Sequence, residues 1–199
     1  MHRLLTLLAA VALLSACAPD TDAPVRSGKV VTSGTAQIGG DFALVDQTGT
    51  PRTQADFLGK PQLIYFGFAF CPDVCPASLS RMGAIADMID PQGEKLNYLF
   101  ITVDPERDTP EALAQYVTAG PFAPGLVGLT GTPEAAKAAQ KAFQVYAAKV
   151  ESDGASDYLY DHTDFIYVMD ETGAFHDIIA PDETVEAAAA QIKRDFRLR

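Results

Sequence analysis

Two cysteines, Cys71 and Cys75, carry the chain's most evident chemistry, because a thiol pair can exchange electrons or hold a metal. They lie in the sequence Phe70-Cys71-Pro72-Asp73-Val74-Cys75-Pro76. Four residues of helix rise about 6 Å, which lies within the roughly 4.4–6.8 Å Cα separation of a disulfide. Two metal–sulfur bonds of about 2.3 Å would instead place the sulfurs ~4 Å apart, which small side-chain rotations can reach. The spacing indicates redox chemistry or soft-metal binding; a structural disulfide or two buried free thiols is the alternative.

The cysteines stand between a predicted strand and a predicted helix. Residues 63–68 form an unbroken apolar and aromatic run, typical of a strand covered on both faces. In residues 77–88 the apolar side chains mostly recur with a helical period. Backbone N–H groups and the helix dipole stabilise anions at a helix start, so we expect at least one thiol pKa below the free value of about 8.5. Asp73 opposes this shift with its own charge.

Length, composition and charge limit the classes of protein that the sequence can encode. The chain has 199 residues and is 48% hydrophobic, which is enough for one good core and predicts a single domain. It carries 15 basic and 26 acidic residues, a net charge of −11. This balance argues against nucleic acid as a partner and against binding to an anionic membrane surface.

The amino-terminal residues resemble a bacterial lipoprotein signal. Arg3 supplies a positive charge, and the apolar residues 4–14 are too few to span a bilayer as a helix. The segment closes with Leu14-Ser15-Ala16-Cys17, which resembles a lipobox. We therefore predict a signal peptide over 1–16, lipidation of Cys17 and a flexible tether over 17–36; an ordinary secretory signal or an uncleaved anchor is the alternative. The expected location is extracytoplasmic, lipid-anchored at the periplasmic face of the inner membrane.

Strands and helices alternate over residues 37–199, which we interpret as the folded domain. Turn signals and periodicity predict strands at 42–45, 63–68, 96–103, 126–129, 165–169 and 174–179. Helices are predicted over 77–88, from Thr109, from Thr132 to about Phe143, and from about Thr184 to Arg197. Residues 146–150 are expected to be extended and residues 151–161 to be irregular. The pattern is typical of an α/β fold with a mixed sheet.

Three ordered motifs together resemble the Sco/SenC family of copper-binding proteins. They are the cysteine motif, the segment Val103-Asp104-Pro105-Glu106-Arg107-Asp108-Thr109-Pro110, and Asp161-His162-Thr163 ahead of a strand. The resemblance implies a thioredoxin-like fold, a central mixed β-sheet flanked by helices. It also implies one Cu(I) or Cu(II) per chain, held by Cys71, Cys75 and His162, and a role in assembling the dinuclear copper centre of cytochrome c oxidase. The implied partners are the copper-bearing oxidase subunit, other periplasmic copper chaperones and thioredoxin-like reductants.

The donor types agree with copper, because thiolates favour Cu(I) and imidazole also suits Cu(II). Zinc is the rival metal, and since it prefers four ligands it would have to recruit Asp161 or Asp164. Of the other histidines, His2 belongs to the predicted signal and His176 is expected to be exposed. Asp161 adjoins His162 and is predicted to orient it without binding the metal. For most of the acidic residues near it, a solvated loop is the simpler interpretation.

Two functions remain open from the sequence. The first is a metallochaperone that binds and delivers copper without catalytic turnover. The second is an enzyme, a membrane-anchored thiol–disulfide oxidoreductase in which Cys71 and Cys75 are the catalytic pair acting on a cuproprotein's cysteines. Thioredoxin-type reductases usually have two residues between their cysteines and a cis proline before the facing strand, whereas this chain has three residues and Thr163-Asp164. Both differences favour metal binding, and the two activities can also be successive steps of one process.

Overall fold

The computed structural model of this chain describes residues 38–152 and 158–198. Strands β1 to β9 occupy, in chain order, Ala43–Asp46, Pro51–Thr53, Gln62–Gly67, Asn97–Thr102, Val127–Thr130, Ala147–Glu151, Tyr158–His162, Ile166–Met169 and Phe175–Ile179. Helices α1 to α4 occupy Val74–Ile89, Pro110–Tyr116, Pro133–Ala142 and Val185–Asp195, and a 3₁₀ turn covers Gln54–Phe57. The predicted α/β class is confirmed, while the predicted signal, lipidated Cys17 and tether lie outside the described residues.

Seven strands form one mixed sheet in the order β2-β1-β5-β4-β3-β8-β9. The central strands β3, β4 and β5 are parallel, and the outer pairings are antiparallel. All six residues of β3 are buried, as its unbroken apolar sequence predicts. Helix α1 leaves this central strand and packs against α4, while α2 contacts β5 and α3 contacts β1. The cysteine segment is therefore carried by the middle of the core.

Three helices begin where the sequence places their caps. The hydroxyls of Thr109, Thr132 and Thr184 each accept a hydrogen bond from the N–H three residues on, and proline occupies the first turn of α2 and α3. The short strand β2 was not predicted, because its three residues overlap the turn signal at Pro51. None of the helices in the described ranges is long and apolar enough to cross a membrane.

A second, two-stranded sheet is formed by β6 and β7, which pair antiparallel with Ala147 opposite His162. The extended conformation predicted for residues 146–150 is confirmed. The prediction of an irregular segment through residue 161 is wrong at its end, because β7 runs from Tyr158 to His162. Alternate tyrosines at 158 and 160 favour this strand, but they follow a polar segment that hid the pattern. This small sheet carries His162.

Candidate metal centre

The two thiols lie at the junction of β3 and α1. Cys71 precedes the helix and Cys75 lies in its first turn; their exposed fractions are 8% and 0%. Both are free thiols, and the Cys75 N–H lies 3.4 Å from the Cys71 sulfur. Gly67 makes room for this arrangement, because a Cβ there would lie 2.9 Å from Cys75 Sγ. The pair is therefore fixed by the core and shielded from solvent.

His162 reaches the thiols from the end of β7. Its Nε2 lies 3.3 Å from Cys75 Sγ, and its Nδ1 is 2.9 Å from the carbonyl oxygen of Thr163. The ring also stands edge-on to the rings of Tyr65 and Phe68. Since Nδ1–H donates to the Thr163 carbonyl, Nε2 is the ring nitrogen that faces the thiols, and it can bind a metal once it has lost its proton.

The sequence-predicted metal ligands thus come together in space. One donor atom each from Cys71, Cys75 and His162 lies within 4.8 Å of the other two, and no other group of three such residues occurs among residues 38–152 and 158–198. His176 is exposed, as expected, and lies 3.1 Å from Asp195 in a different part of the molecule. Two thiolates and one imidazole form a soft, three-donor set that suits copper in either oxidation state.

The structure assigns the orienting contact differently from the sequence. Asp161 is exposed on β7, and successive strand residues point to opposite faces, so its side chain is directed away from that of His162. The expected partner of the imidazole, the Asp161 carboxylate, is replaced by the backbone carbonyl of Thr163. Sequence alone gives no signal for a carbonyl acceptor, because every residue has one.

The two thiols differ strongly in acidity. A hydrogen bond from Cys75, together with bonds from His162 and the N–H groups of Asp73 and Cys75, outweighs burial and lowers the pKa of Cys71 to about 4. Burial, followed by the Cys71 charge, raises the pKa of Cys75. Burial alone would lower the pKa of His162, but its bonds to Cys71 and to the Thr163 carbonyl raise it. The centre therefore stabilises one thiolate beside a basic imidazole before any metal arrives.

A buried ion pair holds the strand that carries His162. Arg107 pairs with Asp104, which is fully buried, and its Nη1 donates to the carbonyl of Tyr158 at 3.1 Å. The guanidinium lies 3.7 Å from the centre of the Tyr158 ring, and the Tyr158 hydroxyl donates to Asp104 at 3.1 Å. The second sequence motif thus ties the start of β7 to the end of β4.

The same motif also holds the cysteine loop. The carboxylate of Asp108 accepts the Ala69 N–H at 3.0 Å and the Thr102 hydroxyl at 2.6 Å. Asp108 is fully buried, and this burial raises its pKa to about 6 despite those bonds. The sequence singles out this motif only through the family resemblance. The structure shows that it contacts both the segment before the cysteines and the strand that carries His162.

Comparison with known proteins places the chain in a family. A sequence model described as SCO1/SenC matches residues 30–197. Protein SenC of Rhodobacter capsulatus is 38% identical over 173 residues, 87% of this chain and 77% of that protein. The mitochondrial SCO1 homolog of Homo sapiens is 43% identical over 162 residues, 80% of this chain and 53% of that protein. The chain spans about half the length of the human relative and of the SCO2 homolog of Danio rerio.

Solved structures agree with the fold. Bradyrhizobium japonicum ScoI with copper bound is 42% identical, with a TM-score of 0.71, over 79% of this chain and 98% of that one. Yeast Sco1 is 37% identical, with a TM-score of 0.73, over 81% of this chain and 98% of that one. The thioredoxin-like arrangement expected from the sequence, a mixed sheet flanked by helices, is confirmed by these neighbours.

Proposed function

The chain belongs to the SCO1/SenC family, and on that premise we propose that it binds copper and serves as a metallochaperone in the assembly of the dinuclear copper centre of cytochrome c oxidase. The observation that carries the proposal is the convergence of Cys71, Cys75 and His162, whose donor atoms lie within 4.8 Å of one another. The copper-bound ScoI structure of Bradyrhizobium japonicum, 42% identical to this chain, supports the choice of metal.

Each ligand contributes a different property to the centre. Cys71 offers a preformed thiolate, and Cys75 loses its proton when a metal ion replaces it. These two sulfurs satisfy Cu(I), which accepts low coordination numbers, whereas the imidazole Nε2 adds the nitrogen donor that Cu(II) requires. Copper is the cargo in this proposal, and the protein holds it without turning over a substrate.

The decisive experiment compares wild type with His162→Ala, using reduced, purified protein. We expect the variant to bind Cu(I) more weakly but to lose Cu(II) almost completely, because only the thiolates remain. The readout is the thiolate-to-Cu(II) charge-transfer band, beside a competition assay for Cu(I). His176→Ala is the matched control, since this imidazole pairs with Asp195 outside the cluster. An unchanged band in His162→Ala would remove His162 from the ligand set.

A second function, thiol–disulfide oxidoreductase, is favoured by the placement of the thiols, Cys71 just before α1 and Cys75 fully buried in its first turn, together with their unequal acidity. An acidic Cys71 and a buried, protonated Cys75 are the nucleophile and resolving thiol that such an enzyme needs. His162→Ala should then leave reduction of a disulfide substrate largely intact, since both thiols remain. Reductase turnover in a protein that binds no copper would establish the enzyme and refute the chaperone.

We further propose that the protein acts at the periplasmic face of the inner membrane through a lipid on Cys17. The support is the sequence Leu14-Ser15-Ala16-Cys17 after a short apolar segment. Anchoring would keep the copper site beside a membrane-bound oxidase subunit, with periplasmic copper chaperones and thioredoxin-like reductants as further partners. Cys17→Ser should release the protein from the membrane fraction or leave the precursor uncleaved. A mature protein with a free Cys17 would contradict the proposal.

A further inference from the structure

A carboxylate network lies just beyond His162 in the chain and joins the strand before the cysteines to the helix that contains Cys75. Oδ1 of Asp164 accepts the hydroxyl of Tyr65 at 2.8 Å and the hydroxyl of Ser78 at 2.9 Å. Tyr65 is completely buried in β3, and Ser78 lies in α1, three residues after Cys75. One oxygen atom therefore connects the segment after His162 to the strand before the cysteines and to the helix that follows them.

The polar residues of this network are placed where apolar ones would be expected. Ser78 lies on the buried face of α1, in line with Cys75, Leu79 and Met82. Asp164 is half-buried two residues before the fully buried strand β8. A carboxylate or hydroxyl in such surroundings is unfavourable unless it is hydrogen-bonded, and here each satisfies the other. Asp164 is therefore an exception to the solvated-loop interpretation that the sequence favours for most acidic residues near His162, because its carboxylate accepts two hydroxyl groups.

The network also fixes the atom that orients the imidazole. The carbonyl of Thr163, which accepts His162 Nδ1–H, belongs to the peptide group that joins Thr163 to Asp164. Thr163 is held on its other side by Tyr146, through bonds of 3.0 Å from its N–H to the Tyr146 carbonyl and from the Tyr146 N–H to its hydroxyl. The bonds of the Asp164 carboxylate hold the other end of this peptide group, ahead of β8.

We propose that Asp164 is a positioning residue that holds the Thr163 carbonyl, and through it the Nε2 atom of His162, at the thiol pair. It touches neither the sulfurs nor the imidazole and is not a member of the three-residue donor group. The inference deepens the proposed function and rests on it for the meaning of the copper measurements. The positioning itself is a property of the metal-free protein and can be measured without copper.

The first test is made on the reduced, metal-free chain. In wild type the His162 Nδ1–H should be protected from solvent exchange, and its signal should appear in ¹H–¹⁵N spectra of the imidazole. Asp164→Ala should abolish this protection because the peptide plane loses its anchor. Asp164→Asn should restore it, since the amide oxygen can still accept both hydroxyls. Asp161→Ala, which removes an equal charge from the exposed neighbouring carboxylate, is the matched control and should resemble wild type.

The second test uses copper itself. Loss of a contact that orients a metal ligand commonly costs about 10- to 100-fold in affinity, and we expect Asp164→Ala to lose that much for Cu(II). Its Cu(I) affinity should fall by a smaller factor, because both thiolates stay in place. Asp164→Asn and Asp161→Ala should both keep the Cu(II) charge-transfer band. An equal fall for both oxidation states in Asp164→Ala would show general damage to the site and overturn the proposal.

Two variants with smaller changes keep the proposal testable if Asp164→Ala does not fold. Ser78→Ala and Tyr65→Phe each remove one donor and leave the carboxylate with the other. Each should produce a partial loss of Nδ1–H protection. Wild-type protection in both variants and in any folded Asp164→Ala would overturn the proposal. A wild-type protein that shows protected Nδ1–H but no copper binding would instead refute the proposed function and leave the positioning role standing.

Discussion

The thiols and the imidazole of the candidate centre are held by regions of very different construction. Cys71 and Cys75 follow β3, in which all six residues are buried, and Cys75 itself has no exposed surface. His162 ends a two-stranded sheet outside the main sheet, whose strand β6 has no buried residue. The thiol region depends on apolar packing, which sums many small contacts. The imidazole region has less buried surface and adds hydrogen bonds, one ion pair and the edge contacts of the His162 ring with Tyr65 and Phe68.

This difference implies that the two regions fail in different ways. A substitution in the thiol region should disturb the core and weaken the binding of Cu(I) and of Cu(II) together. A substitution in the polar contacts of β7 should free the imidazole and leave the sulfurs in place. The following predictions are ways to break or refine this contrast.

Arg107→Ala should have the largest effect on stability. It leaves the fully buried Asp104 without its counter-ion and removes the bond to the Tyr158 carbonyl, and breaking a buried pair in this way costs about 3–5 kcal/mol. We expect a lower urea midpoint and the loss of Cu(II) binding. Arg107→Lys, which keeps the charge but not the planar fork, should be intermediate. Full Cu(II) binding in Arg107→Ala would show that the ion pair does not hold β7.

Gly67→Ala tests the thiol region. Its new Cβ would lie 2.9 Å from Cys75 Sγ, 2.9 Å from Tyr65 Cε1 and 3.1 Å from Phe100 Cε2, and such overpacking typically costs about 1–3 kcal/mol. Because the sulfur must move, affinities for Cu(I) and Cu(II) should fall together. Gly131→Ala is the control, since the atoms nearest to its Cβ belong to Leu44 and Ala135, at 3.2 Å and 3.5 Å, and not to the thiols. A loss confined to Cu(II) would contradict the contrast between the regions.

Titration of the metal-free thiols should show one acidic and one resistant group. The pKa of Cys71 is about 4 in the fold and about 8.5 when unfolded, so the unfolded chain binds more protons between these values. The unfolding free energy should therefore rise with pH across this interval, and this contribution is lost as the pH falls through about 4. Cys75→Ala should raise the pKa of Cys71 by ~1 unit, about 1.4 kcal/mol, by removing its main hydrogen bond. Ultraviolet thiolate absorbance measures the pKa of Cys71 in wild type and in Cys75→Ala. Two thiols that titrate together near the free value would refute the asymmetry.

Tyr158→Phe should have the smallest effect. It removes the hydroxyl bond to Asp104 but keeps the ring under the Arg107 guanidinium, so we expect a loss of about 1 kcal/mol in unfolding free energy. Cu(II) binding should change little. A loss as large as that of Arg107→Ala would mean that the tyrosine hydroxyl, and not the guanidinium, carries the attachment of β7.

Local sequence signals were sufficient for most of the fold and for two of the three donors of the site. The buried strand before the cysteines, the threonine caps and the alternation of elements depend on neighbouring residues, and these predictions were confirmed. The resemblance of three motifs supplied His162, which the structure brings to the thiols. Strand β7 escaped prediction because a polar segment precedes its alternate tyrosines, and their contacts with Arg107 and Phe68 arise only from tertiary packing.

The sequence by itself determined which donors exist and that the thiols stand between a buried strand and a helix, because residue types and the periodicity of neighbouring residues are local properties. Only the tertiary structure decided what holds the donors together. The bond from Tyr65 to Asp164 spans 99 positions, and that from Ala69 to Asp108 spans 39. The physical reason is that an aspartate finds its hydrogen-bond partner through the packing of β3, α1 and β8, so its role depends on which elements the core brings beside it.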